Sequence, residues 1–209
     1  MDDAARWRLI DEERQRLDNV LAALQPGQWE LPTLCEDWDV QHVVAHLSAA
    51  GSTATPGWLV NMARSGFNTD RHNTRLLAGQ LGRDFSETLA RYRLARTRRI
   101  APLGSSQGLL GEVLVHGQDI ARPNNLALEP SAPAVREVAE FFAAKDCAVN
   151  SKGLVKGLAL VALDNDFATG AGPEVRGSLL DLVMAMAGRR EACPRLEGDG
   201  AAALAARIG

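Results

Sequence analysis

Apolar side chains recur at helical spacing through most of the first 125 residues, and this restricts the fold more than any other feature of the chain. Ile10, Leu17, Val20, Leu21 and Leu24 mark one helix, which Pro26-Gly27 ends. Val40, Val43, Val44 and Leu47 mark a second, with Asp37 or Asp39 as its cap. Gly51–Gly57 is a Gly/Ser/Thr/Pro break, and residues 58–80 hold a weaker pattern in which Trp58–Ala63 begins a short helix. Ser86 and Glu87 start a helix with Leu89, Tyr92 and Leu94 along it, and another covers Gln107–Ala121, stopping before Pro123. The pattern predicts an antiparallel four-helix bundle over residues 1–128, an architecture in which metal sites form between facing helices.

Composition shifts after Pro123. Pro130-Ser131 leads into a helix over Ala132–Val149, and Val155–Leu163 reads as a strand followed by a turn at Asp164-Asn165-Asp166. Phe167–Thr169 and Glu174–Arg176 read as short strands separated by Gly170-Ala171-Gly172-Pro173. Gly177–Ala187 reads as an apolar helix closed by Gly188, and Ala201–Ile208 as a last helix after a turn at Leu196–Gly200. Residues 129–209 are therefore expected to form a small α+β domain, which makes the chain α+β overall.

Several function classes are disfavoured. The formal net charge of −3 offers no basic excess for phosphates, so no nucleic acid partner is expected. Apolar runs such as Leu158–Leu163 are too short to span a bilayer, and the first residues lack the layout of a secretion signal. No membrane partner and a cytoplasmic location are expected. Cys35, Cys147 and Cys193 lie at wide, irregular spacing without a CxxC pair, which points to reduced thiols with packing roles. Cys35 falls just before the His46 helix, which leaves a place near a site as the minor alternative to packing. Arg91, Arg93, Arg96, Arg98 and Arg99 read as a solvated face, with attraction of an anionic substrate as the alternative.

Glu112 and His116 are spaced i, i+4, so a helix projects both from one side, one turn apart. The helical wheel puts them at the edge of the face defined by Leu109, Leu110, Val113 and Ile120. An ionised Glu beside a bundle core is costly unless it is paired or bound to a metal. His46 flanks the apolar face of its own helix, whereas His42 turns further away. His72 lies in a polar loop and reads as solvated. One His and one Glu/His pair would supply three ligands and an open position, the layout of a catalytic zinc site; a packed or capping histidine beside a surface Glu/His pair is the alternative reading. Asp119, three residues after His116, is placed either to orient an imidazole or to serve as an ordinary helix-end residue.

Trp29, the run Pro32-Thr33-Leu34-Cys35-Glu36-Asp37-Trp38-Asp39-Val40 and Val43-Val44-Ala45-His46-Leu47 together resemble the N-terminal signature of the mycothiol-dependent maleylpyruvate isomerase family. These are DinB-like four-helix bundles of actinobacteria. Glu112–Ile120 is similar to the family's second signature. Ala162-Leu163-Asp164, Gly172–Gly177, Asp181-Leu182 and Ala187-Gly188-Arg189 are similar to its small C-terminal domain. The resemblance implies zinc, or another divalent metal, on His46, Glu112 and His116, with mycothiol as the thiol cosubstrate. It also implies a substrate-binding arginine near the end of the chain, best matched by Arg189, with Arg190 or Arg176 as alternatives. Two departures are His42, where the family often has Asp, and a compact segment between His46 and Glu112.

The expected function is activation of a low-molecular-weight thiol for attack on a small electrophile, ending in cis–trans isomerisation or S-transfer. A hydrolase using zinc-bound water and a noncatalytic small-molecule-binding protein on the same scaffold are the alternatives. The chain is expected to act as a monomer or homodimer.

Overall fold

A computed structural model describes residues 1–146 and 149–208. The chain divides into two compact units, Met1–Pro130 and Ser131–Gly209.

The first unit contains helices α1 (Asp3–Ala23), α2 (Val40–Ala50), α3 (Thr55–Arg64), α4 (Thr69–Ala78), α5 (Phe85–Arg96) and α6 (Ser106–Ala121). α2 packs on α5 and α6, and α1 on the same two helices, which makes α1, α2, α5 and α6 the four-helix bundle. The periodic apolar residues meet in its core, where Leu17, Leu21, Trp29, Val40, Val43, Val44, Leu47, Tyr92, Val113 and Ile120 form one cluster. Side-chain caps begin the bundle helices: Asp2 for α1, Asp39 for α2, Asp84 for α5 and Ser105 for α6 each accept a hydrogen bond from a first-turn N–H. Asp37 is not the α2 cap; its φ of 63° puts it in the left-handed turn that leads to Asp39.

The segment between α2 and α5 differs from its sequence pattern. The Gly/Ser/Thr/Pro break is shorter than expected, because α3 already starts at Thr55 with Pro56 in its first turn. Residues 58–80 supply two helices rather than the start of one. α3 buries no residue, and α4 buries only His72 and Leu77, so neither carries a full apolar stripe. Leu94, assigned to the apolar pattern of α5, is 65% exposed. The arginine run mostly meets carboxylates of the protein: Arg93 and Arg96 approach Asp18, Arg99 approaches Asp11 and Arg91 binds Glu87.

The second unit contains α7 (Ala132–Ala144), α8 (Ser151–Leu154), β1 (Ala159–Ala162), β2 (Ala168–Gly170), β3 (Glu174–Gly177), α9 (Leu179–Met186) and α10 (Ala201–Ile208). The sheet order is β2-β1-β3, with β1 antiparallel to β2 and parallel to β3. α9 packs on α7 and on the sheet, and its residues Leu182 to Met186 are fully buried. α7 stops at Ala144 instead of reaching Val149. Cys147 lies outside the described residues. The strand expected from Val155 is shorter because α8 and a turn at Gly157, with φ 76°, occupy the approach to Ala159. No described helix is long and apolar enough to cross a membrane.

Candidate metal centre

α2 and α6 are neighbours in the bundle, and that packing brings His46 to the Glu112/His116 pair. His46 Nε2 lies 2.9 Å from Glu112 Oε2, and His116 Nε2 lies 3.3 Å from the same oxygen. The two imidazoles meet edge to face with centroids 4.7 Å apart. One ligand atom from each of the three residues falls within 4.8 Å of the others. Glu112 is part-buried and keeps 20% of its side-chain surface, against 11% for His46 and 13% for His116.

Burial opposes charge on Glu112 and His116, but hydrogen bonding overcomes it. Burial would raise the Glu112 pKa, yet bonds from His116 and His46 hold it well below the usual carboxylate range. Burial would lower the His116 pKa, yet Asp119, Cys35 and Glu112 hold it well above the usual imidazole value. Both directions favour a charged Glu112–His116 pair.

The donor set fits a divalent cation. Two imidazole nitrogens and a carboxylate oxygen converge, and they are zinc's ordinary ligands in sites that keep a position open. The remaining nitrogen of His116 is already engaged, since Nδ1 lies 2.9 Å from Asp119 Oδ2. Cys35 Sγ donates to the same oxygen at 3.2 Å and lies 3.5 Å from His116 Nδ1. Cys35, His116 and Asp119 also lie close enough together to be a second metal-type group. Because Asp119 occupies Nδ1, this second group acts as the support that fixes His116 with Nε2 turned to Glu112.

Residues 10–107 match the family model for the mycothiol maleylpyruvate isomerase N-terminal domain. The matched stretch includes His46 and ends ahead of Glu112. Two solved structures share the fold: the mycothiol-dependent maleylpyruvate isomerase and a histidine-to-alanine mutant of it. Each is 16% identical, with a TM-score of 0.65 over 96% of this chain and 94% of that chain. No curated protein matches the chain.

The other sequence candidates fall in different places. His42 is bonded through Nδ1 to Asp39 Oδ1 at 2.7 Å and stays outside the cluster. His72 is not solvated: it is 1% exposed, on α4, with its ring against Trp58. His72 is buried, unlike most of its polar segment, because α4 packs on α2 and α3. Arg189 belongs to the C-terminal unit, where Nη1 donates to the Ala187 carbonyl at 2.7 Å. Arg190 begins a short 3-10 turn in that unit, and Arg176 lies on β3 between Glu174 and Glu197. Trp38, whose ring centroid is 5.1 Å from that of His46, was not singled out as a site residue. The signal for it was its position eight residues ahead of His46, beside the helix cap.

Proposed function

We propose that this chain is a metal-dependent thiol enzyme that isomerises, or transfers sulfur to, a small electrophile carrying a polarised double bond. The convergence of His46, Glu112 and His116 is the observation that carries this reading. The N-terminal domain match and the shared fold support mycothiol as the thiol, since the similar structures are of a mycothiol-dependent maleylpyruvate isomerase. Zinc fits the donor set best.

His46, Glu112 and His116 would hold the ion. When bound, it would supply a positive centre that stabilises the thiolate form of a thiol, which is otherwise mostly protonated at neutral pH. Glu112 offsets one of the two positive charges, and neutral His46 and His116 add none. Asp119 holds the His116 ring in place. Trp38 covers one side of His46 and limits water access to it.

A thiolate sulfur adds to one carbon of the double bond, and the π electrons move onto the conjugated carbonyl oxygen. Rotation about the resulting single bond, followed by collapse and loss of the same thiolate, gives the trans isomer. Protonation and retention of the adduct give S-transfer. Arg189 is the arginine assigned to the substrate carboxylate, a role that rests on the family resemblance and on the fork geometry of guanidinium. The reading describes a cytoplasmic enzyme acting on small molecules.

Metal content of the wild type beside His46→Ala and Glu112→Ala tests the ligands: stoichiometric metal only in the wild type is expected. Metal retained by both variants would overturn the assignment. A cobalt-substituted sample tests the chemistry, with a sulfur-to-cobalt charge-transfer band expected on adding mycothiol. No such band with any low-molecular-weight thiol would instead favour water activation.

A further inference from the structure

His72 is a buried hydrogen-bond donor that the metal cluster does not use. It lies on α4, in the segment between His46 and Glu112, and only 1% of it is exposed. Asn61, on α3, fixes its protonation pattern. The Asn61 amide nitrogen donates to the His72 carbonyl at 3.0 Å and approaches His72 Nδ1 at 2.9 Å, while Asn61 Oδ1 accepts from Arg75 Nε at 3.4 Å. Reversing the amide would set its oxygen against a carbonyl and its nitrogen against a guanidinium N–H. Asn61 therefore donates to Nδ1, Nδ1 carries no proton, and the ring proton sits on Nε2.

That Nε2 is buried and has no hydrogen-bond partner among the described residues. A donor left this way costs about 1–3 kcal/mol unless a group outside the described residues accepts from it. The ring also stays uncharged. Burial lowers its pKa, and repulsion from His46 lowers it further. His46 is thus an electrostatic neighbour of His72, in keeping with the packing of α4 on α2. Trp58 holds the ring edge to face with centroids 4.7 Å apart, which limits its rotation.

We propose that His72 is a substrate-binding residue of the thiol-addition site, donating Nε2–H to the carbonyl oxygen of the electrophile. The proposal rests on the function proposed above. As the thiolate sulfur bonds to the double bond, negative charge collects on that oxygen, and the hydrogen bond from His72 strengthens. When the enolate collapses, the charge returns to sulfur and the thiolate leaves. The proton stays on Nε2 throughout. A neutral imidazole suits this task, because it polarises a carbonyl without delivering a proton that would trap the adduct.

Two measurements test this. Long-range proton–nitrogen NMR of the wild type at neutral pH reads the His72 tautomer directly. The Nε2–H form is expected, and an Nδ1–H form or an imidazolium overturns the proposal. Steady-state kinetics with maleylpyruvate and mycothiol then compare the wild type with His72→Phe and His72→Gln. His72→Phe keeps the shape and removes the donor; kcat is expected to fall about 100-fold, with metal content unchanged. His72→Gln, which restores an N–H at similar reach, is expected to recover part of that loss. A kcat for His72→Phe close to wild type defeats the proposal alone. A wild type that binds no metal and turns over no maleylpyruvate defeats the functional reading, and the proposal with it.

Discussion

Asp119 Oδ2 lies 2.9 Å from His116 Nδ1, and Asp119 itself has no exposed surface. A carboxylate buried to that degree must be held by donors, and here they are an imidazole and the Cys35 thiol. The pair fixes which nitrogen of His116 faces Glu112. Asp119→Ala should therefore weaken zinc affinity about 10–100-fold, as other losses of a carboxylate behind a ligand histidine do. Asp119→Asn retains an acceptor oxygen and should lose less. Competition against a chromophoric chelator measures both.

Arg14 is a second buried charge, with a structural role. It is 2% exposed, and its Nη1 donates to the carbonyls of Arg96, the last residue of α5, and of Arg98 just beyond it. The end of a helix leaves such carbonyls without intrahelical partners. Arg14→Ala should destabilise the bundle by about 2–5 kcal/mol, through the cavity and the orphaned carbonyls together. Arg14→Met fills most of the volume and should cost less. Urea unfolding measures the loss, and metal stoichiometry should not change.

The sequence revealed the bundle where burial is one-sided. Val40, Val43, Val44 and Leu47 stand on the inner face of α2, so their spacing marks the helix and its orientation. α3 gives no such signal because it buries nothing, so its sequence shows only a break and a partial helix. At the site, the Glu112/His116 spacing was visible because both residues share one helix. The approach of Cys35 to His116 was not, because it joins residues 81 apart through tertiary packing. The burial of His72 is illegible for a related reason. The segment Thr69–Arg75 is polar, and nothing local says that α2 and Trp58 cover its histidine.

Gly170 tests the small sheet. Its φ is 78°, and a Cβ there would collide with the Leu158 carbonyl oxygen on the neighbouring chain segment. The antiparallel pair in which Ala159 faces Gly170 depends on that close approach. Gly170→Ala should cost about 1–3 kcal/mol from the left-handed backbone alone, before the collision is counted. Gly27→Ala is the control, since a Cβ there meets nothing, and it should change stability by less than about 0.5 kcal/mol. Thermal melts followed by circular dichroism compare the two.

The pH dependence of stability should depend on whether the metal is present. In the metal-free protein Glu112 has a depressed pKa, so its stabilising contribution is present above the unfolded value of 4.5 and is lost as pH falls toward the folded value. His116 has a raised pKa, so its contribution is fully present below 6.5 and is lost as pH rises through the higher folded value. Metal-free stability should accordingly peak between these limits and decline on the alkaline side. Metal binding must displace the proton from His116, so affinity should increase as pH rises and then level off above the folded His116 pKa. The rise in melting temperature on adding zinc should thus be larger at about pH 8 than at about pH 6, because stabilisation by a ligand grows with its affinity. Melts with zinc and with a chelator across that range measure the difference. A zinc-induced shift that stays flat across the range, or shrinks toward alkaline pH, would mean that the ion does not compete with the His116 proton and binds elsewhere.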